Sequence, residues 1–225
     1  IAGGVFLLTW VFSGWLSVSP PVPWASELDG RLIQRGFDAY AGNNEARFTL
    51  NPAVLRSLER YDTREARFEW LAGRPQIVIT DEQSKRIVLD ADTGAPVTFS
   101  QDRLIENARL LVPGANLREA TLLTSEDAYW YSRREPRRLP VLRVKFDDEH
   151  ETWIHIDPAT GAVLGRMHAG DRVNRWLFDA LHSFDFAWLR THRPAWDIVI
   201  WALSVAGLVI SVSGVVIGWR RLKAR

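Results

Sequence analysis

Chemistry in this chain must come from a small set of side chains. There are five histidines, His150, His155, His168, His182 and His192, and no cysteine. The missing cysteines exclude disulfides, thiolate nucleophiles and cysteine-held zinc or iron–sulfur clusters. No His-Glu-x-x-His, His-x-His, glycine-rich phosphate loop or Gly-x-Ser-x-Gly elbow occurs, so metalloprotease, nucleotide-binding and serine-hydrolase readings lack support. The arrangement richest in chemistry is Arg172, Arg175, Asp179 and His182, which form a stripe along Asp171–Ser183, a helix with Asp171 near its N-cap. A neutral imidazole backed by guanidinium groups suits an axial ligand of haem iron, with arginines on the propionates. Asp179 would alternatively orient the imidazole by accepting its second N–H. A solvated helix face with an Arg–Asp pair has the same spacing, and spacing alone favours it. Of the other histidines, His150 reads as part of a charged hairpin turn and His155 as a half-exposed strand residue. His168 follows a strand end without a nameable partner, and His192 is a weaker ligand candidate near the interface.

The elements that must position these groups begin with two uncharged ends. Residues 1–18 carry no charge, and neither do Ile198–Trp219, whereas the last six residues hold four basic ones. Subtracting those four from the 28 Lys and Arg leaves 24 basic against 27 acidic residues over 19–197. Such a balance leaves no nucleic-acid footprint. Ile198–Gly218 makes a helix of roughly 31 Å, enough to cross a hydrocarbon core. Trp196, Trp201 and Trp219 flank it, and the basic tail marks its C-terminal side as cytoplasmic. Ser204, Gly207, Ser211, Gly214 and Gly218 form a small-residue seam suited to another membrane helix. Residues 1–18 read as a transmembrane helix truncated at its N-terminus, in preference to a signal peptide. Two spans then place the middle of the chain in the periplasm.

That middle contains a repeat. Asp90-Ala91-Asp92-Thr93-Gly94-Ala95 and Asp157-Pro158-Ala159-Thr160-Gly161-Ala162 share Asp-x-x-Thr-Gly-Ala, turn chemistry with glycine at the positive-φ position. Asn51-Pro52 and Ser100 each open a short helix, and strand-like segments follow: Ala66–Leu71, Gln76–Thr80 and Lys85–Leu89, then Glu119–Thr124, Val141–Phe146 and Glu151–Ile156. The common unit is a helix followed by three or four antiparallel strands. The second copy is longer by the basic loop Ser132–Leu139, which contains Arg133, Arg134, Arg137 and Arg138.

With these blocks in order, the chain resembles the PepSY-associated transmembrane protein family. The resemblance rests on the two Asp-x-x-Thr-Gly endings and on Leu8–Gly14 with Ser17 and Pro20. It also rests on Arg175-Trp176-Leu177, Leu181-His182, Leu189-Arg190, Pro194-x-Trp196-Asp197, Gly207, Ser213-Gly214 and Gly218–Arg221. It implies an α+β fold, with two PepSY-like helix-plus-antiparallel-sheet modules between two transmembrane helices. The expected division is 1–18 membrane helix, 19–47 linker, 48–99 and 100–169 modules, 170–194 juxtamembrane helix, 195–219 membrane helix and 220–225 cytoplasmic tail. Similar members carry earlier membrane helices with a histidine-bearing start, so the chain reads as the C-terminal part of a four-helix protein.

Some relatives resemble haem-b reductases of iron–siderophore complexes. The resemblance carries the Leu-His histidine over to His182 as an iron ligand, with Arg175, Arg172 and Asp179 as cofactor-binding candidates. The expected function is therefore haem-b-dependent electron transfer across the inner membrane to a periplasmic ferric siderophore. The second axial ligand would come from the N-terminal membrane helices, which are also the expected packing partner. The alternative is a non-catalytic periplasmic binding module that regulates a peptidase or another envelope protein.

Overall fold

The computed structural model describes residues 2–18, 22–24, 28–42, 51–133 and 136–224. The chain forms two compact units, one of residues 26–169 and one of 1–25 with 170–225. The architecture is α+β, with two four-stranded antiparallel sheets.

Residues 26–169 begin with a helix that lies inside the stretch expected to be a linker, α2 (Gly30–Ala41). Asp29 caps it by accepting from the Arg31 N–H, and Gly42 closes it at φ +70°. Ile33, Phe37 and Tyr40 recur at helical spacing, and the Phe37 and Tyr40 pair enters the larger core. The first module opens with α3 (Pro52–Ser57), whose Asn51 cap accepts from the Ala53 N–H at 2.9 Å. A meander of β1 (Thr63–Leu71), β2 (Arg74–Asp81), β3 (Arg86–Asp90) and β4 (Pro96–Val97) follows. Alternation sends Ile77, Ile79 and Leu89 onto Val54 of α3. In the second module Ser100 caps α4 (Gln101–Ala108), followed by β5 (Leu117–Leu123), β6 (Val141–Phe146), β7 (Trp153–Ile156) and β8 (Val163–Met167). Its core joins Leu104 and Leu111 to Leu142, Val144, Phe146, Ile154 and Ile156.

The two repeat turns are alike in backbone but differ in what their aspartates do. Asp90 Oδ1 accepts from the Thr93 N–H and hydroxyl, each at 2.9 Å, and Gly94 sits at φ +71°. Asp157 Oδ1 accepts from the Ala159 N–H at 3.0 Å, while Oδ2 pairs with Arg86 of the first module. Arg138 lies 3.6 Å from the same oxygen. Beside it the Tyr40 hydroxyl donates to the Gly161 carbonyl at 2.6 Å, and Leu71 packs against Gly161. The second turn therefore ties the modules together, whereas the first makes its contacts within its own module, where Asn51 donates to the Asp92 carbonyl at 3.0 Å. Burial pushes the Tyr40 phenol far above its ordinary pKa, so it remains a donor.

The other unit contains α1 (Ala2–Leu16) and a helical run over 169–183. That run divides into α5 (Ala169–Asn174), a π-helical turn (Arg175–Ala180) and α6 (Leu181–Ser183), and Phe184 ends it at φ +50°. Next come the short α7 (Ala187–Thr191) and α8 (Arg193–Lys223), which has Pro194 in its first turn. Among the described residues α8 is the one helix long and apolar enough to cross a membrane. Its 31 residues span about 46 Å, and its Ser211 and Ser213 hydroxyls donate to the carbonyls of Gly207 and Val209, which satisfies these two donors within the helix. The 15 residues of α1 span about 22 Å, short of a core about 30 Å thick.

Candidate functional site

Four of the histidines are distinguished by what holds each ring nitrogen. His155 on β7 is paired with Arg143 on β6, and only 1 % of its surface is exposed. Burial removes the half-exposed state expected from its strand position, because Trp130 stacks over the ring at a centroid distance of 4.3 Å. Trp130 is delivered by the basic connection between β5 and β6, and its indole N–H donates to the Arg138 carbonyl at 2.9 Å. Gly165 on β8 leaves room for that indole, since a Cβ there would come within 3.2 Å of it. Arg143 Nε donates to His155 Nε2 at 2.8 Å, and the rest of its guanidinium grips the Asp127 carboxylate, with Nη2 2.9 Å from Oδ1. Burial and the Arg143 charge hold the His155 pKa down to about 3. Desolvation pushes Asp127 up, but the Arg143 hydrogen bonds and the N–H groups of Tyr129 and Trp130 outweigh it and leave the carboxyl at about 2. His155 is thus neutral and its Nε2 lone pair is spent on Arg143, which removes it as a metal ligand.

His168 Nδ1 lies 3.1 Å from the Thr152 hydroxyl, which donates its own proton to Asp148. His150 meets the His168 ring edge-on. Among the described residues no group of three metal-ligating side chains gathers anywhere. His192 is exposed and its Nδ1 lies 2.8 Å from the Trp188 carbonyl, a contact within its own turn of chain.

His182 differs in kind. Ser13 Oγ of α1 lies 3.1 Å from its Nδ1, and the same hydroxyl donates to the Trp10 carbonyl at 3.1 Å. A hydroxyl has one proton, so when Ser13 donates it to the Trp10 carbonyl it accepts from the imidazole, and Nδ1 is the protonated nitrogen in that arrangement. Nε2 then keeps its lone pair, and no hydrogen bond engages it among the described residues. Ser13 is fully buried, so no water competes for this bond. Trp10 adds a second clamp: its indole N–H donates to the His182 carbonyl at 2.8 Å. The rings of Phe178 and Trp10 lie 5.0 and 5.8 Å from the imidazole. Gly14 keeps the α1 backbone close, since a Cβ there would touch the His182 ring at 3.7 Å. The indole N–H of Trp196 donates to the Ser183 carbonyl at 3.0 Å, which sets His182 beside the first turn of α8.

The remaining stripe residues do not line up as a simple helix implies. The π-helical turn inserts between Arg172 and His182 and rotates the two ends of the stripe relative to each other. Arg172 and Arg175 are both buried. Arg175 Nη2 donates to the Asp185 carbonyl at 2.7 Å and lies 3.8 Å from its carboxylate, which Arg190 also approaches at 4.0 Å. Arg175 thereby braces the turn after His182. Asp179 sits half-buried in the π turn, and the acceptor at His182 Nδ1 is Ser13. Within the basic loop, Arg137 lies over the Trp130 ring, Arg138 approaches Asp157, and Arg134 lies outside the described residues.

A family model described as PepSY-associated TM region matches residues 4–225. The chain belongs to the PepSY-associated TM region family. The match covers both modules, α1 and α8, so the sequence blocks singled out above fall within one family pattern. No curated protein and no solved structure matches the chain. Membership gives the apolar, unburied α8 of this PepSY-associated chain a membrane as its surroundings. The sequence singles out His182 as a candidate but gives no sign that Ser13 and Trp10, more than 160 residues away, are its contacts. The signal available was the pair itself, a serine and a tryptophan one helical turn apart in an otherwise apolar segment.

Proposed function

We propose that His182 is an axial ligand of a haem b in a membrane electron-transfer protein, and that the electrons reduce a ferric chelate of the iron–siderophore class. The observation that carries this reading is the contact of Ser13 with Nδ1: with the Ser13 proton on the Trp10 carbonyl, Nδ1 carries the imidazole proton and the Nε2 lone pair is unengaged. An imidazole oriented through its second nitrogen is how protein ligands to iron are held. The donor set fits the group in this respect, since the ring is clamped from both side chain and backbone. Haem would supply one-electron chemistry at this position. The chain's own residues hold the imidazole through Ser13 and Trp10 and set the Phe178 ring against it. Arg172, Arg175 and Asp179 remain candidates for the surroundings of such a group, with Arg175 acting through the turn it braces.

The topology belongs to the same proposal. Here α8 crosses the inner membrane with Arg220, Arg221 and Lys223 in the cytoplasm, α1 contributes about 22 Å to a second span, and the modules face the periplasm. The N-terminal membrane helices would pack on the small-residue seam and bring the second ligand.

The test is a reduced-minus-oxidised optical spectrum of the full-length natural protein in membranes, with and without His182→Ala. A b-type signal that the substitution removes or shifts is the expected result. Protein purified with haem available and showing no Soret band would overturn the proposal.

A further inference from the structure

We propose that the segment between the π-helical run and α8, residues 184–193, is a membrane-interface anchor whose partner is the headgroup layer of the bilayer that α8 crosses. The inference rests on the membrane reading of α8 and is independent of haem. Trp188 on α7 is 63 % exposed and Phe186 at its N-cap 36 %, although both belong to the residue types that proteins most readily bury. Trp188 touches the His192 ring, at a centroid distance of 4.9 Å, and presents the rest of its indole outward. A cationic group follows at once. Arg193 lies over the Trp196 ring at 5.1 Å and 3.3 Å from the half-buried Asp197, and the His192 ring is exposed beside it.

Continuity with α8 decides the occupant. The chain enters α8 at Arg193, and the uncharged run begins five residues later, at Ile198. About one and a half turns of α8, roughly 7.5 Å, therefore lie between Arg193 and the uncharged run, close to the depth of the headgroup layer, and α7 with Trp188 directly precedes Arg193 in the chain. Indoles with an apolar body and a polar N–H, followed by guanidinium groups beside lipid phosphates, are the side chains that this layer favours. The Trp196–Ser183 hydrogen bond fixes the level of the helix end against the same turn of α8. Trp188 leaves most of its ring uncovered among the described residues, and the bilayer is the partner of matching polarity and position. The anchor would fix the depth of His182, two residues before Phe184.

Because the chain has no cysteine, single cysteines can be introduced without a background. Nitroxide labels at Phe186→Cys, Trp188→Cys and, in the middle of α8, Leu208→Cys are to be compared in the full chain. The chain is reconstituted in nanodiscs of phosphatidylcholine and phosphatidylglycerol, and accessibility to oxygen and to an aqueous nickel chelate is read. The expected result is a depth parameter at 186 and 188 between that of free label in buffer and that of Leu208→Cys. Values at both sites equal to free label overturn the anchor while leaving the span intact. Shielding from oxygen and nickel alike also overturns it, because a protein surface would then cover the segment. A label at 208 that reads as aqueous removes the membrane reading itself, and the anchor with it.

Discussion

His155 offers a test in which the sign and size of an effect follow from three contacts. In the folded chain its pKa is held down to about 3 by burial and by Arg143, against an ordinary value of 6.5. Below the ordinary value the unfolded chain binds a proton that the folded chain refuses, so stability rises with pH across this window. The contribution is complete above pH 6.5 and is lost as pH falls toward 3. One proton of difference corresponds to a slope of about 1.4 kcal/mol per pH unit. The perturbation is His155→Gln, whose side-chain oxygen can still accept from Arg143 Nε but which does not titrate. The assay is urea unfolding of the full chain in detergent, followed by near-UV circular dichroism at several pH values from 7 down to 4. Carboxylates titrate in both proteins, so the difference between the two curves isolates the histidine. Wild type should lose about 2.5–3.5 kcal/mol more than the variant over that range, an upper figure because relaxation around a buried group reduces it. Parallel curves would refute the reasoning, for they would mean that the folded chain protonates His155 as readily as the unfolded one.

Two further outcomes rest on close approaches and single protons. Gly36→Ala should destabilise the 26–169 unit by about 3 kcal/mol or more, since its Cβ would fall 2.2 Å from the Leu111 backbone carbonyl oxygen and neither helix backbone can yield; thermal unfolding of the variant measures it, and an unchanged midpoint would show that α2 does not pack there. Ser13→Ala should leave the buried Nδ1–H of His182 without its acceptor and allow the Nε2–H tautomer to populate; nitrogen-15 chemical shifts of the labelled imidazole in detergent read the tautomer directly, and an unaltered spectrum would remove Ser13 from its positioning role.

The sequence by itself determined most of what depends on local pattern. Asn51-Pro52 and Ser100 start helices because their side chains satisfy orphan N–H groups, and both caps form as hydrogen bonds. Alternation set the strands, so Val141–Phe146 appears with the expected ends, and Asp-x-x-Thr-Gly gave two turns with positive-φ glycines. A charge-free run of sufficient length gave α8. The helix α2 was overlooked although its cap and its Ile33, Phe37 and Tyr40 spacing are local features; charged residues at Arg31, Arg35 and Asp38 masked the stripe.

What only the tertiary structure decided are the choices between residues of one type. Five histidines are equivalent in a sequence, and each ring's role depends on which neighbour takes which proton. Arg143 spends the lone pair of His155, while Ser13 meets Nδ1 of His182 and leaves its other nitrogen unengaged. Likewise two identical turn motifs diverge because Arg86 reaches Asp157, whereas Asp90 bonds within its own turn. Hydrogen bonds between residues more than 160 positions apart leave no periodic trace, because their geometry is created by packing and not by the local chain.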